Sequence, residues 1–238
     1  MLDVEFSHGA EIRTIHPAIL RSAEDTVLVD CGYPGFLPRL ERAAAACGAS
    51  MEEVSSVLVT HHDYDHCGAL HEIRRKYPAI RVIASEGDAP HIRGDLPSLR
   101  LLQAEALYDT LEGEREREDA RDFQAALRAV PPADVDLTVR DGDAFPWCGG
   151  ARIVATPGHM PGHISVYLER LRTLITGDAL IAINGRLRIA NPHYALDLDA
   201  AKESVRRLAA MDISTFVCYH GGVVRGDLSH RRYRHLLR

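Results

Sequence analysis

The stretch His61-His62-Asp63-Tyr64-Asp65-His66 sets three histidines and two aspartates into six residues, directly after the apolar run SSVLV. Imidazole nitrogens and carboxylate oxygens are ligands for Zn, Mn or Fe, and two ions a few Å apart can share them. One such residue reads as a polar loop; five in six behind a buried strand read as a metal site. Three other places supply the same ligand types. TPGHMPGH, residues 156 to 163, holds His159 and His163 in a loop stiffened by two prolines. LITGDAL puts Asp178 at the end of an apolar strand, after a glycine that leaves room, and FVCYHGG puts His220 at the end of another, before two glycines. Each is weak alone, but together they favour a dinuclear site over a mononuclear or structural one.

The elements that must position these residues follow from hydrophobic patterning. Short β-rich segments crowd both ends of the chain: LDVEFS, RTIHPAIL, DTVLVDCG and SSVLVTH early; ARIVATPGH, HISVYLE, RTLITGDAL, RLRIA and STFVCYHGG late. Helices are expected from Phe36 to Cys47, closed by Gly48, and from Leu70 to Tyr77, ended by Pro78. Ser50 and Glu53 space as a capping box. Asp197 to Met211 carries Leu198, Ala201, Val205, Leu208 and Ala209 on one apolar face. Strand SSVLV ends at Thr60, which makes residues 61 to 66 the loop at its C-terminal end, where α/β folds place ligands. Between about 86 and 132 the chain is charged and strand-poor, reading as two helices broken near Gly113. That segment is expected to be a helical insertion that shapes or covers a site within a single domain, residues 1 to 238. The two halves share a pattern of strands, a polar turn and a helix, which suggests an α/β sandwich of two mixed sheets between helices.

Composition bounds the function. The 238 residues are 46% hydrophobic and 26% charged, an ordinary globular balance, and the formal charge of −6 leaves no basic footprint for nucleic acid or anionic membrane. The basic HRRYRHLLR at the end reads as a solvated helix end. No apolar run of roughly 18 residues appears and MLDVEFSHGA lacks a signal-peptide pattern, so a soluble cytoplasmic protein is expected. The five scattered cysteines form no CxxC pair, which argues for free thiols, and Cys67 reads as a small packing residue.

With these residues in view, the chain resembles the metallo-β-lactamase superfamily, whose signature is T-H-x-H-x-D-H followed by a distant His loop, a strand-end Gly-Asp and a late His before glycine. Here the series is Thr60-His61-His62-Asp63-Tyr64-Asp65-His66, His159 with His163, Gly177-Asp178, and His220; VLVDCG, Val27 to Gly32, resembles the family's early strand and turn. The resemblance implies a four-layer αβ/βα sandwich and two divalent metal ions, with Zn expected and Mn or Fe as alternatives. It implies that His61, Asp63 and His159 hold one ion, that Asp65, His66 and His220 hold the other, and that Asp178 bridges them. His62 falls on an unconstrained position, and His163 is expected behind the ligands, bonding a ligand carboxylate.

The departure is Asp63, where the family usually has His. A carboxylate there tilts the site toward harder ions, adds negative charge and shortens the reach; the other reading turns Asp63 away and leaves that half of the site degenerate. The implied activity is hydrolysis of a small ester, lactone or thioester by a metal-bound hydroxide, with Asp65 and Asp178 as candidate catalytic residues. Tyr194 is a candidate oxyanion donor and His193 a weaker one. The alternatives are a di-iron redox enzyme related to flavodiiron proteins, which carry a carboxylate at this position, and a phosphodiesterase of the same superfamily. A metal-binding regulator with little turnover is a further one. The expected partner is a small-molecule substrate, with no nucleic acid and no membrane; a homodimer is left open.

Overall fold

The computed structural model describes residues 1–9, 11–226, 228 and 236. All of HRRYRHLLR except Leu236 lies outside the described residues. A hairpin of β1 (Val4–His8) and β2 (Glu11–Ile15) opens the chain, and β3 (Ala18–Arg21), β4 (Thr26–Val29) and helix α1 (Leu37–Ala46) follow. RTIHPAIL therefore supplies two strands rather than one, divided at His16-Pro17, where proline has no amide hydrogen for a ladder. Next come β5 (Ser56–Leu58), the one-turn helix α2 (Tyr64–Cys67), α3 (Leu70–Lys76) and β6 (Arg81–Ser85). Three helices, α4 (Ala89–Ile92), α5 (Leu99–Tyr108) and α6 (Glu114–Arg128), separate β6 from β7 (Leu137–Val139). The second half holds β8 (Ala144–Phe145), β9 (Ala151–Ala155), β10 (Ile164–Leu168), β11 (Thr173–Ile175), β12 (Ile181–Ile183) and β13 (Arg186–Arg188). Helix α7 (Leu198–Ala209), β14 (Thr215–Cys218) and β15 (Gly222–Arg225) complete it.

Two mixed sheets form the centre, one ordered β3-β4-β5-β6-β7 and the other β15-β14-β11-β10-β9-β8. Their facing sides share a core built from Val27, Val29, Leu58 and Ile83 of the first and Ile153, Ile164, Val166 and Ile175 of the second. The alternate residues Leu28, Val57, Val59 and Val82 pack outward under Leu37, Leu40, Leu70 and Ile73 of α1 and α3. On the other side Leu174 and Phe216 meet Val205 and Leu208 of α7. Because successive strand residues point to opposite faces, strands such as Ser56–Leu58 are buried on both sides, and the layers run helix, sheet, sheet, helix.

Local signals explain the elements nearest the site. Ser50 and Glu53 close a reciprocal capping box, here on a single 3₁₀ turn at Met51–Glu53 that feeds β5. Asp197 caps α7 by accepting the Ala200 amide at 2.9 Å, and Ala201, Val205 and Leu208 lie on its buried face. Leu198, assigned to that face by spacing, sits in the first turn and is exposed.

Candidate metal centre

The strand ends converge. Thr60 ends the β5 run, and the loop that follows is shorter than the sequence suggests. Only residues 61 to 63 are loop, because Tyr64–Cys67 turn into α2 and carry Asp65 and His66 on a helical turn. His159 rides the loop between β9 and β10, Asp178 follows β11, and His220 follows β14. A Cβ on Gly177, at φ +50°, would lie 2.6 Å from His163 Nε2 and 2.8 Å from Thr60 Oγ1, so glycine lets β11 bring Asp178 against the ligand loop. Gly221, at φ +95°, likewise admits no Cβ, since one would meet the Ala182 carbonyl.

All seven residues expected as ligands come together. Among the described residues, three groups have ligand atoms within 4.8 Å of one another: His61, Asp63 and His159; Asp65, His66 and His220; and His61, His66 and Asp178. Asp178 spans the two halves. Its Oδ1 lies 3.4 Å from His66 Nε2 and 3.5 Å from His220 Nε2, and its Oδ2 lies 3.6 Å from His159 Nε2. His61 Nε2, His66 Nε2 and Asp178 Oδ1 are buried without a hydrogen-bond partner. Buried polar atoms are rarely left unpaired, and three of them aimed at one point fit a metal ion. Charge agrees: the carboxylates of Asp30, Asp63, Asp65 and Asp178 surround the cluster, and Arg100 is its one permanent cation among the described residues. That balance fits divalent cations. His220, with 33% of its side chain exposed, and Asp65, with 15%, form the solvent-facing rim.

The supports differ between halves. Asp30, in the left-handed region at φ +61°, accepts the Thr60 amide at 2.7 Å, the Thr60 hydroxyl at 2.8 Å and His66 Nδ1 at 2.9 Å. This fixes the His66 ring so that Nε2 faces the cluster. His61 Nδ1 lies 3.0 Å from Thr60 Oγ1. Burial opposes charge on His66, yet Asp178, Asp30 and Asp65 raise it well above the usual imidazole range. Burial and the neighbouring His66 push His61 well below it, keeping that ring neutral. His163 is pushed down to about 3 by burial and by His159. Neutral His163 accepts the backbone N–H of Asp178 at 2.9 Å, so it holds the ligand's main chain rather than its carboxylate. Tyr219 donates to the Asp65 carbonyl at 2.5 Å, and its ring centroid lies 3.9 Å from that of His66.

Asp63 is turned inward, with Oδ2 2.9 Å from His159 Nε2 and 3.4 Å from His61 Nε2. It is also gripped from the other side. Arg100 of α5, 3% exposed, places Nε 3.0 Å from Oδ1 and Nη2 2.7 Å from Oδ2, a two-pronged pair. Burial alone would raise the Asp63 carboxyl, but His159, His61 and Arg100 hold it well below the usual carboxylate range. Spacing did not reveal Arg100; the available signal was a single charge inside the otherwise apolar LRLL. Asp30 was visible only as part of VLVDCG.

The remaining candidates stand apart from the ligand atoms. His62 is buried, paired with Asp88, and accepts the Leu99 amide. Cys67 is buried, and burial pushes its thiol well above the usual range, so it packs rather than reacts. Tyr194 is exposed; its carbonyl accepts from Arg100 at 2.6 Å and its ring lies 5.4 Å from that guanidinium. His193, beside it, is also exposed. A cavity of about 590 Å³, lined by His62, Tyr64, His91, Leu101 and Leu127 among others, lies behind the ligand loop, and none of the seven ligand candidates lines it.

Residues 15–220 match the family described as the metallo-beta-lactamase superfamily. The chain belongs to that superfamily. The probable metallo-hydrolase YflN of Bacillus subtilis (strain 168) is 26% identical over 208 residues, 82% of this chain and 75% of that protein. The hydroxyacylglutathione hydrolase of Rhodopseudomonas palustris (strain BisB5) is 30% identical over 132 residues, 55% of this chain and 36% of the relative. Among solved structures, a metallo-beta-lactamase family protein of Thermus thermophilus superposes with a TM-score of 0.72 at 25% identity, covering 99% of this chain and 77% of that one. The four-layer sandwich is the metallo-β-lactamase fold, and the chain is a metal-dependent hydrolase of a superfamily that is generally dinuclear. No helix among the described residues is long and apolar enough to cross a membrane.

Proposed function

We propose that this superfamily member hydrolyses a small acyl substrate, an ester, lactone or thioester, at the His61, Asp63, Asp65, His66, His159, Asp178 and His220 cluster. The observation that carries this reading is the set of buried, unpartnered atoms His61 Nε2, His66 Nε2 and Asp178 Oδ1 beside a partly exposed rim. When bound there, divalent metal, with Zn the expected ion and Mn or Fe as alternatives, would supply a Lewis acid and water whose pKa falls from roughly 15.7 toward about 7.

The chain's own residues do the rest. Asp65, on the open side and anchored through its carbonyl by Tyr219, orients the attacking water and takes its proton. Asp178, held through its amide by His163, keeps the two halves in register. His220 stands at the mouth where substrate enters. The similarity to a hydroxyacylglutathione hydrolase, named for a thioester, supports acyl rather than phosphoryl chemistry. A carboxylate at position 63 also admits the di-iron redox reading, but its pairing with Arg100 gives it a different role, and no observation favours that alternative.

The test is a panel of thioesters, esters, lactones, phosphodiesters and β-lactams, assayed with protein reconstituted in turn with Zn, Mn and Fe. Turnover of an acyl substrate, abolished in His220→Ala with an unchanged circular dichroism spectrum, is the expected result. Turnover of phosphodiesters alone, or acyl turnover untouched by His220→Ala, would overturn it.

A further inference from the structure

We propose that Arg100 is a built-in cation that competes with metal for the Asp63 half of the centre, so that the two halves fill unequally. The Asp65, His66 and His220 half, with Asp178, fills first and tightly. The His61, Asp63 and His159 half takes its ion only as Arg100 gives way. The inference rests on the metal-site reading above, but it concerns occupancy and not the bond that is cleaved.

Three observations carry it. First, Arg100 Nη2 reaches the two atoms a metal in this half would need, Asp63 Oδ2 at 2.7 Å and His159 Nε2 at 3.1 Å. His159 Nε2 also lies 2.9 Å from Asp63 Oδ2, so the two atoms are already engaged with each other and with the guanidinium, and a metal must displace those contacts to bind them. Second, the guanidinium is fully engaged. Its N–H groups donate to four acceptors, Asp63 Oδ1 and Oδ2, the Tyr194 carbonyl and Gln103 Oε1, and Nη2 also lies 3.1 Å from His159 Nε2. It is thus committed to the protein on all three of its nitrogens. Third, the other half has the opposite support. His66 is backed by the Asp30 carboxylate, which strengthens it as a ligand, whereas His159 Nδ1 is buried with no partner behind it.

A guanidinium stays protonated throughout the pH range in which proteins fold, so it cannot be deprotonated out of the way. Metal entry must therefore break charge-assisted hydrogen bonds that a neutral neighbour would not offer. The loss of two such bonds corresponds to a gap of about a hundredfold or more between the two affinities.

The test is titration of metal-free full-length protein with Zn and with Co, read by competition against a chromophoric chelator and by metal content after gel filtration. No substrate is involved, so the result is independent of whether the acyl-hydrolase reading holds. The wild type is expected to show one tight equivalent and a second about a hundredfold weaker. In Arg100→Met the second equivalent is expected to tighten relative to the first. Two equally tight equivalents in the wild type would overturn the proposal. So would an Arg100→Met protein that folds but loses the second ion altogether, because Arg100 would then be a support for Asp63 and not its competitor. Should Arg100→Met fail to fold, the wild-type titration alone still decides, and Arg100→Lys, which keeps the charge but not the fork, is expected to narrow the gap.

Discussion

The two halves of the candidate metal centre draw on the same six-residue stretch, yet they are backed by opposite charges. Behind His66 stands Asp30, an anion fixed by the Thr60 amide and hydroxyl at the ends of β4 and β5. Behind Asp63 stands Arg100, a cation delivered by α5 from the helical segment between β6 and β7. An anionic support sharpens a histidine as a ligand, while a cationic one satisfies a carboxylate before any metal arrives. Ligand identity alone would rank the halves as near equals; what lies one layer further out separates them.

The largest effect is expected at the residue the halves share. Asp178 touches His66 and His220 through one oxygen and His159 through the other. Asp178→Ala should remove most bound metal from both halves and reduce turnover on the order of a thousandfold, as measured by elemental analysis and by rates on the same preparation. Loss confined to one half would show that the halves are independent.

Restoring the family's usual residue tests the other side. Asp63→His leaves Arg100 buried without its carboxylate, and an uncompensated buried charge costs about 3–5 kcal/mol. Denaturant unfolding of the metal-free protein should show that loss, and Asp63→His combined with Arg100→Met should recover much of it. If the single variant is as stable as the parent, the pair contributes little and the asymmetry is not electrostatic. Asp30→Asn, which weakens the anchor of His66, is expected to lower the affinity of the tight equivalent by about ten- to a hundredfold and to leave the weak one nearly unchanged.

The reason Arg100 escaped sequence reading, while its partner drew attention, is physical. Ligands sit at strand ends beside turns, where apolar runs stop and glycines cluster, as at Thr60, Gly177 and His220, so short-range pattern exposes them. The sandwich was likewise legible, because strands buried on both faces, such as Ser56–Leu58, read as unbroken apolar runs. Arg100 lies 37 residues from Asp63, on a helix whose other residues set no ligand pattern. Its role depends on where α5 docks, which is tertiary information. His163 shows the same limit at finer scale: its position behind the ligands follows from the motif, but which atom of Asp178 it holds follows from the turn at Gly177. The helix at Tyr64–Cys67 was hidden in a stretch too polar and too short for periodicity to register.

The smallest effect is expected at Tyr219. Tyr219 donates to the Asp65 carbonyl and covers the face of His66, so it supports the tight half through the backbone and through packing rather than through charge. Tyr219→Phe keeps the ring and removes only the hydroxyl, leaving the Asp65 carbonyl to find water at the open rim. The loss should be about 1 kcal/mol, a several-fold weakening of the tight metal equivalent with the weak one unmoved. A much larger loss would mean that the position of α2, and not Asp30, sets the affinity of this half. Equal weakening of both equivalents would mean that Asp178 transmits changes across the centre as readily as it bridges it.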